Sequence, residues 1–392
     1  MIRVAFTLLG GKGWTGGYNY LYNLVSVLSS HKSAEIKPVM FFGDDCDERD
    51  TAAFTALRGV EVIQTPLMSK SHKKRALINA LIRGYDPQIK SKFNNENIDL
   101  VFEAAQFFGR KLNIPAIGWI PDFQHRILPE LFSKAAYWKR EIGFRAQIAS
   151  DRTIMLSSKD ALDTLKKIYP SAENHSRVVN FAIPPGPQIK FEDAREIADL
   201  YHLPDNYFFL PNQYWKHKNH LLVLEALARL KAKGEEIVVA ASGAELDPRH
   251  PAHFEQIKQT IADQGLCSNY HTLGLIPFEH LAPLSIASRS LLNPSTFEGW
   301  STTVEEAKTL GVQMILSDLP VHKEQAGNKA IYFDRTDPDS LAKRLKMQNP
   351  TTKDEWIVRA KQARVDAVVR TKKFADEFLE CARFAIQFDR SY

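Results

Sequence analysis

Asn293-Pro294-Ser295-Thr296-Phe297-Glu298-Gly299-Trp300-Ser301-Thr302-Thr303-Val304-Glu305-Glu306-Ala307 follows directly on the apolar run Ser290-Leu291-Leu292. The order reads as a strand, a tight loop and a helix that starts near Thr302. A helix start presents unpaired N–H groups and the positive end of the peptide dipole, which suits a diphosphate. Glu298 falls in the loop and Glu306 about a turn inside the helix. Carboxylates repel phosphate but accept hydrogen bonds from sugar hydroxyls. A phosphate seat flanked by two such acceptors has the chemistry of a sugar-nucleotide site. Surface glutamates at a helix start are common, but that reading leaves the clustering of Asn-Pro-Ser, Glu-Gly and Glu-Ala unexplained.

Outward from this segment, strand-like apolar runs alternate with helix-like amphipathic runs along the whole chain. In the first half the strand runs are 4–9, 38–42, 100–102, 116–120, 152–156 and 177–179, with helical stretches at 18–29 and 158–168. The second half has strand runs at 207–210, 237–241, 271–272, 290–292, 313–316 and 330–333. Its helical stretches are 221–233, 253–264, 302–310 and 339–346, and the tail 353–388 reads as one or two amphipathic helices. Such alternation specifies an α/β fold with parallel sheets covered on both faces. Phe181-Ala182-Ile183-Pro184-Pro185-Gly186-Pro187 reads as a linker between two Rossmann-like halves. With 392 residues, 44% of them hydrophobic, the chain can fill two cores. Ligands in such sheets bind beyond the strand C-termini, so a cleft between the halves is expected.

The segment 293–307 resembles the Glu-x7-Glu signature of retaining glycosyltransferases of the GT4 type, glycosyltransferase group 1. Gly274-Leu275-Ile276-Pro277, Gly311-Val312-Gln313-Met314-Ile315-Leu316-Ser317-Asp318 and Glu324 continue the likeness, which is strong over about 205–345. It implies the GT-B fold, two facing Rossmann-like domains. The expected division is an acceptor domain at 1–184 and a nucleotide-sugar domain at 188–365, with a C-terminal helix at 366–392 crossing back to the first domain through Phe374, Phe378 and Phe384. It also implies that Glu306 holds the ribose diol, that Glu298 holds donor-sugar hydroxyls, and that Gly299, Trp300, Ser301, Thr302 and Thr303 meet sugar and diphosphate. The implied reaction retains anomeric configuration and uses neither cofactor nor metal beyond the nucleotide-diphosphate sugar itself.

Pro211-Asn212-Gln213-Tyr214-Trp215-Lys216-His217-Lys218-Asn219-His220 lies between a strand and a helix. Relatives of the GT4 type carry an arginine and then a Lys-Asn or Lys-Gly in this place, both cations neutralising the departing diphosphate. Lys218-Asn219 match the second part; Asn212 or Gln213 replaces the arginine, and Lys216 is the candidate that compensates. An ordinary basic helix cap is the alternative. Gly10-Gly11-Lys12-Gly13-Trp14-Thr15-Gly16-Gly17 contains Gly-x-Gly-x-x-Gly. Taken alone it signals a dinucleotide, with Asp44 or Asp45 as the ribose acid. Taken with the resemblance, Gly16 and Gly17 approach the donor phosphates and shape the acceptor pocket. Trp119-Ile120-Pro121-Asp122-Phe123-Gln124-His125 follows a strand, and Pro129-Glu130 lies seven residues beyond Asp122. Asp122 and His125 are the acceptor-side catalytic candidates beside Lys218 and Glu298, although proline stands where the family has its histidine. A structured loop with a satisfied histidine is the alternative.

Charge is uneven along the chain. Residues 1–180 hold 25 basic and 18 acidic residues, and 181–392 hold 26 and 28. The basic excess peaks at Lys70-Ser71-His72-Lys73-Lys74-Arg75, either a solvated loop or helix start, or a contact for anionic lipid headgroups or a phosphorylated acceptor. The patch is short and lacks interleaved aromatics, which argues against nucleic acid. Cys46, Cys267 and Cys381 are far apart and odd in number, which fits a reducing compartment better than a disulfide framework. No His/Cys/Asp cluster has metal-ligand spacing, and Asp45-Cys46-Asp47 lacks the context of a manganese motif. No apolar run is long enough to span a bilayer and the first strand is too short for a signal peptide. The expected enzyme is a cytoplasmic glycosyltransferase, peripheral at the inner membrane face, with a glycan or lipid-linked acceptor in surface polysaccharide assembly. A GT-B sugar-nucleotide epimerase and an NAD(P)-dependent Rossmann oxidoreductase are the competing readings.

Overall fold

The computed structural model describes residues 1–8, 15–104, 106–150 and 152–389. The chain divides into two compact units. One comprises Met1–Ile127, Lys134–Pro184 and Val369–Tyr392; the other comprises Leu128–Ser133 and Pro185–Val368.

The first unit is built on β1 (Ile2–Thr7), β2 (Ile36–Phe42), β3 (Glu61–Gln64), β4 (Leu100–Ala104), β5 (Ala116–Ile120), β6 (Thr153–Leu156) and β7 (Ser176–Val178), in the order β3-β2-β1-β4-β5-β6-β7. The second is built on β8 (Tyr207–Leu210), β9 (Val238–Ala241), β10 (Tyr270–Thr272), β11 (Ser290–Asn293), β12 (Met314–Ser317) and β13 (Ile331–Phe333), in the order β10-β9-β8-β11-β12-β13. Neighbouring strands are parallel in both sheets. The strand order reverses between β1 and β4 in one sheet and between β8 and β11 in the other. Those are the points where the loops leaving two adjacent strands part in opposite directions and open a crevice.

Burial explains why the strands are short apolar runs rather than alternating ones. β4, β5, β8, β11 and β12 are buried at every position, because helices cover both faces. β3 is the strand that the sequence reading passed over. It lies at an edge and alternates between half-buried and exposed residues, so Glu61-Val62-Ile63-Gln64 carries no continuous apolar signal.

The tail is one helix, Lys353–Asp389. In the first unit Phe378 packs on Phe6 and Phe102 at ring distances of 6.0 and 5.9 Å, and Phe374 packs on Tyr20 and Phe181. In the second unit Trp356 Nε1 donates to Leu310 O at 3.1 Å and Arg359 Nε donates to Gly311 O at 3.2 Å. Gly311 ends the helix Thr302–Leu310 with φ of 70°, the left-handed region where a side chain is strained. A Cβ there would lie 2.7 Å from the backbone N of Ala360, so backbone and not a flexible side chain blocks it. Gly311→Ala is therefore expected to destabilise the second unit by about 2 kcal/mol or more, read as a lower midpoint in urea unfolding with little change in slope.

Candidate functional site

β11 delivers Asn293 to the C-terminal edge of its sheet, fully buried. Its carboxamide organises the loop that follows. Oδ1 accepts from Ser295 N at 3.2 Å, and the Ser295 hydroxyl lies 2.7 Å away. Nδ2 donates to Ser301 Oγ at 3.1 Å and to Thr303 Oγ1 at 3.4 Å. From the next strand, Ser317 Oγ donates to Ser295 O at 2.6 Å. Gln325 grips the far end of the loop, accepting from Ser301 N at 3.2 Å and donating to Ser301 O at 2.7 Å and to Glu305 Oε1 at 3.0 Å. The loop backbone is thus fixed before the helix Thr302–Leu310 begins. Ser301 is the N-cap of that helix, but its hydroxyl is engaged with Asn293 and makes no capping bond, which leaves the first N–H groups open to a ligand.

The loop after β8 meets this one at the reversal of strand order. Asn212 Nδ2 donates to Asn293 Oδ1 at 3.2 Å. The carbonyl of His217 accepts from Thr296 N at 2.8 Å and from Thr296 Oγ1 at 3.2 Å. Lys218 Nζ then reaches Glu298 Oε1 at 2.6 Å, with side chains only 14% and 9% exposed. The Ser295 hydroxyl is also 2.7 Å from Glu298 Oε1, so its single proton is shared between Glu298 and Asn293. Asn219 adopts φ of 60° and donates through Nδ2 to Arg335 O at 3.0 Å, which turns the chain sharply into the helix His220–Lys231.

The two carboxyls of the signature are driven apart in acidity. Burial pushes Glu298 up, but the Lys218 ammonium and the nearby His322 more than offset it and hold the carboxyl down at about 2. Glu306 has burial alone acting on it and is pushed up to about 7. Its neighbour Glu305 faces inward, 1% exposed, and binds Lys308 Nζ at 2.6 Å. The paired glutamates in the sequence thus divide into one that holds the helix and one, Glu306, whose carboxylate has no protein partner among the described residues. Beneath Glu298 lies His322, with no solvent exposure. Its Nδ1 is 3.0 Å from Ser317 O and so carries the proton, which leaves the buried Nε2 without a partner.

The sequence reading named Glu298, Glu306, Lys218, Asn212, Gly299, Trp300, Ser301, Thr302 and Thr303, and the fold brings all of them to this edge of one sheet. Asn212 acts as a strut on Asn293. Lys216 is exposed, with its backbone N–H held by Asp247 and its ammonium in solvent. Asn293, Ser295, Ser317, His322 and Gln325 were given no role; Asn293 and Ser295 lay in the Asn-Pro-Ser triplet and Ser317 in the stretch 311–318, while His322 and Gln325 had no signal.

The remaining candidates lie in the first unit. Asp122 Oδ1 accepts from Gln124 N at 2.7 Å and from Arg140 Nη2 at 2.6 Å, so it caps the short helix Gln124–Ile127 and pairs with an arginine. His125 is fully buried, with Nε2 3.1 Å from Glu141 and its ring against Tyr137 and Phe144. Burial holds the His125 imidazole below its usual range despite Glu141. Glu141 also binds Arg126 and Arg145 at 3.0 and 2.7 Å, a buried cluster that fixes the wall of this unit. Gly16 and Gly17 lie in the first turn of the helix Thr15–His31, and the preceding Gly10–Trp14 lies outside the described residues. Asp45 accepts from Lys70 N at 3.0 Å, and Asp47 caps the helix Glu48–Thr55. Among the described residues no group of three or more His, Cys, Asp or Glu is placed to hold a metal ion, and no helix is long and apolar enough to cross a membrane.

Residues 194–362 match the family of glycosyl transferases group 1. No curated protein sequence matched the chain. Among solved structures, a glycosyltransferase from Rickettsia africae is similar with a TM-score of 0.70 and 15% identity, over 98% of each chain. HepE of Anabaena in complex with UDP and glucose is similar with a TM-score of 0.67 and 13% identity, over 97% of this chain and 99% of the other. The lipopolysaccharide outer core galactosyltransferase WaaB is similar with a TM-score of 0.64 and 16% identity, over 97% and 99%. The α/β fold is that of the GT-B glycosyltransferases.

Lys218→Met strands the Glu298 charge in a nearly dry site and is expected to cost roughly 3 kcal/mol at neutral pH. Lys218→Met combined with Glu298→Gln is expected to recover much of that loss, which a double-mutant cycle of urea melts would measure. Glu298 is held below its unfolded value, so its contribution is present above the usual carboxylate range. It is lost as pH falls toward about 2, and the loss disappears in Glu298→Gln.

Proposed function

With a glycosyl transferases group 1 domain at residues 194–362 on a GT-B frame, we propose that the chain is a retaining, metal-independent glycosyltransferase. It moves a sugar from a nucleotide-diphosphate sugar to a hydroxyl of a glycan or lipid-linked acceptor, in the cytoplasm and in surface polysaccharide assembly. The observation that carries the reading is the pairing of Lys218 with Glu298 beside the open helix start, with Glu306 left unpaired a turn further on.

The pair behaves as a placeholder. A bound diphosphate offers Lys218 a more highly charged partner, and Lys218 turning to it frees the Glu298 oxygens for the hydroxyls of the donor sugar. Ser295, within 2.7 Å of Glu298, keeps the freed carboxylate aimed. Glu306 accepts from the ribose diol, two donors that match its two oxygens. As the anomeric carbon becomes cationic, negative charge grows on the leaving diphosphate. Lys218 and the N–H groups at Thr302 and Thr303 stabilise it there, in a site already organised for the task. Retention follows when a donor phosphate oxygen takes the acceptor proton on the same face, so no carboxylate nucleophile is needed. UDP and UDP-glucose in the Anabaena HepE structures support a nucleotide-sugar donor, and the lipopolysaccharide work of WaaG and WaaB supports the acceptor class.

The test is a thermal-shift series of the purified chain against UDP-, GDP-, dTDP- and ADP-sugars and NAD(P). One nucleotide class at a hundredfold excess over Kd is expected to stabilise the protein by about 2.7 kcal/mol, with the shift lost in Glu306→Ala. Stabilisation by NAD(P) alone, or conversion of the sugar nucleotide without any acceptor, overturns the reading. The carboxyl of Glu306 titrates near 7, and the diol binds its ionised form. Donor affinity is therefore expected to fall as pH drops below about 7, and to become flat across that range in Glu306→Gln.

A further inference from the structure

The turn Lys216–Lys218, which carries the lysine of the site, is three residues of 3-10 helix, and its own backbone does little to hold it. Lys218 N donates to Trp215 O at 2.8 Å and Asn219 N donates to Lys216 O at 3.2 Å, while Trp215 at the N-cap adds no side-chain bond. So short a turn relies on its surroundings for a fixed place. Its three side chains, Lys216, His217 and Lys218, are all basic. On one flank Thr296 donates to the His217 carbonyl and ties the turn to the loop 293–303. The other flank is held by the loop that follows β9.

That loop lies directly on the loop after β8. Ala244 N donates to Gln213 Oε1 at 2.7 Å, and Tyr214 N donates to Ala244 O at 3.1 Å. A Cβ on Gly243 would lie 2.5 Å from Asn212 O, so glycine is what lets the two backbones touch. From this base the loop reaches Asp247, which is 2% exposed. The Asp247 carboxylate accepts from Lys216 N, and from Arg249 through N at 3.0 Å and Nε at 3.1 Å. Burial pushes the Asp247 carboxyl up, but these hydrogen bonds more than offset it and hold it below its usual range. The Arg249 guanidinium is thereby laid over the Trp215 ring at 5.3 Å, with the Phe132 ring of the same unit at 5.6 Å. Its Nη2 lies 3.5 Å from His217 Nδ1. One ion pair, with side chains 26% and 1% exposed, so touches Trp215, Lys216 and His217, the three residues that lead into Lys218.

A pair this deeply placed is a poor source of stability, because removing the charges from water takes back much of what their attraction gives. Its use lies in direction. We propose that Asp247 and Arg249 are positioning residues for Lys218, setting the turn 215–218 so that the ammonium reaches Glu298 without donor and the diphosphate with it. The turn is gripped from two strand ends, by Asp247 and Arg249 after β9 and by Thr296 after β11, and Lys218 swings on a fixed base. Arginine suits the place because its planar fork binds Asp247 while its face lies on an aromatic ring, and a lysine does neither as well. The diphosphate half of the proposal rests on the glycosyltransferase reading; the Glu298 half does not.

The experiment has two readouts on the full chain, with Arg249→Lys and the charge-balanced Asp247→Asn/Arg249→Gln as variants. The first is the coupling between Lys218 and Glu298 in the ligand-free protein, from double-mutant cycles of urea melts. It is expected to fall by roughly half or more in both variants. The second is titration with UDP, GDP, dTDP and ADP, beside saturation-transfer NMR of the parent nucleosides. The diphosphate that binds is expected to bind roughly tenfold more weakly in both variants, since a small misplacement of a charged group is costly, with nucleoside binding unchanged. Coupling that stays intact while diphosphate binding weakens overturns the proposal and makes Arg249 a direct contact of the ligand. Equal weakening of nucleoside and diphosphate also overturns it, as a general loosening of the unit. If the unaltered chain binds no nucleoside diphosphate, the glycosyltransferase reading fails, and the ligand-free coupling alone decides whether Asp247 and Arg249 position Lys218.

Discussion

The hydrogen bond from Asn212 to Asn293 joins two residues 81 positions apart, and the site rests on it. It exists because β8 and β11 are neighbours in the sheet although β9 and β10 intervene in the chain. Parallel pairing delivers both strand ends to the same edge, and reversal of strand order parts the loops that leave them. Each loop then carries one half of an ion pair, Lys218 on one and Glu298 on the other. The Asn293 carboxamide uses both its donor hydrogens and its acceptor oxygen on surrounding groups. A hydrophobic residue of similar volume would fill the space but would leave Ser295, Ser301 and Asn212 without their common partner.

Much of this frame was legible from residues alone. Strands buried on both faces are uninterrupted apolar runs, and Tyr207–Leu210 and Ala116–Ile120 were delimited correctly for that reason. The helix Thr302–Leu310 was legible because glycine closes it and the Ser-Thr-Thr run opens it. Strand β3 was not, since at the sheet edge Val62 and Gln64 face outward while Glu61 and Ile63 are half-buried, so no apolar alternation marks it. The helix Lys70–Ile82 was read only over its first six residues, as a basic loop or helix start, because its aliphatic residues follow a helical stripe that faces away from the core.

The site was legible to a similar depth and for a different reason. Signature carboxylates and a lysine are chemistry-bearing residue types at short spacing, so Glu298, Glu306 and Lys218 stood out. Their supports are ordinary polar residues drawn from four segments, with Gln325 gripping Ser301 across 24 positions. Nothing local marks such a residue, because its role comes from the packing of the helix Pro320–Ala326 against the helix Thr302–Leu310. His125 illustrates the converse. Its residue type and its place after a strand suggest chemistry, while its full burial against Glu141 gives it a place in a packed wall.

Both sheets end in strands of only three or four residues: β3, β7, β10 and β13. An unpaired strand edge is a template on which another chain can add its own backbone, and the strength of that template grows with its length. Here each open edge offers little more than one hydrogen-bonded repeat on each sheet margin. A polypeptide with 44% hydrophobic residues and two wholly parallel sheets is thereby protected against ordered self-assembly. Its colloidal behaviour in concentrated solution is left to its helical surfaces rather than to its β-structure.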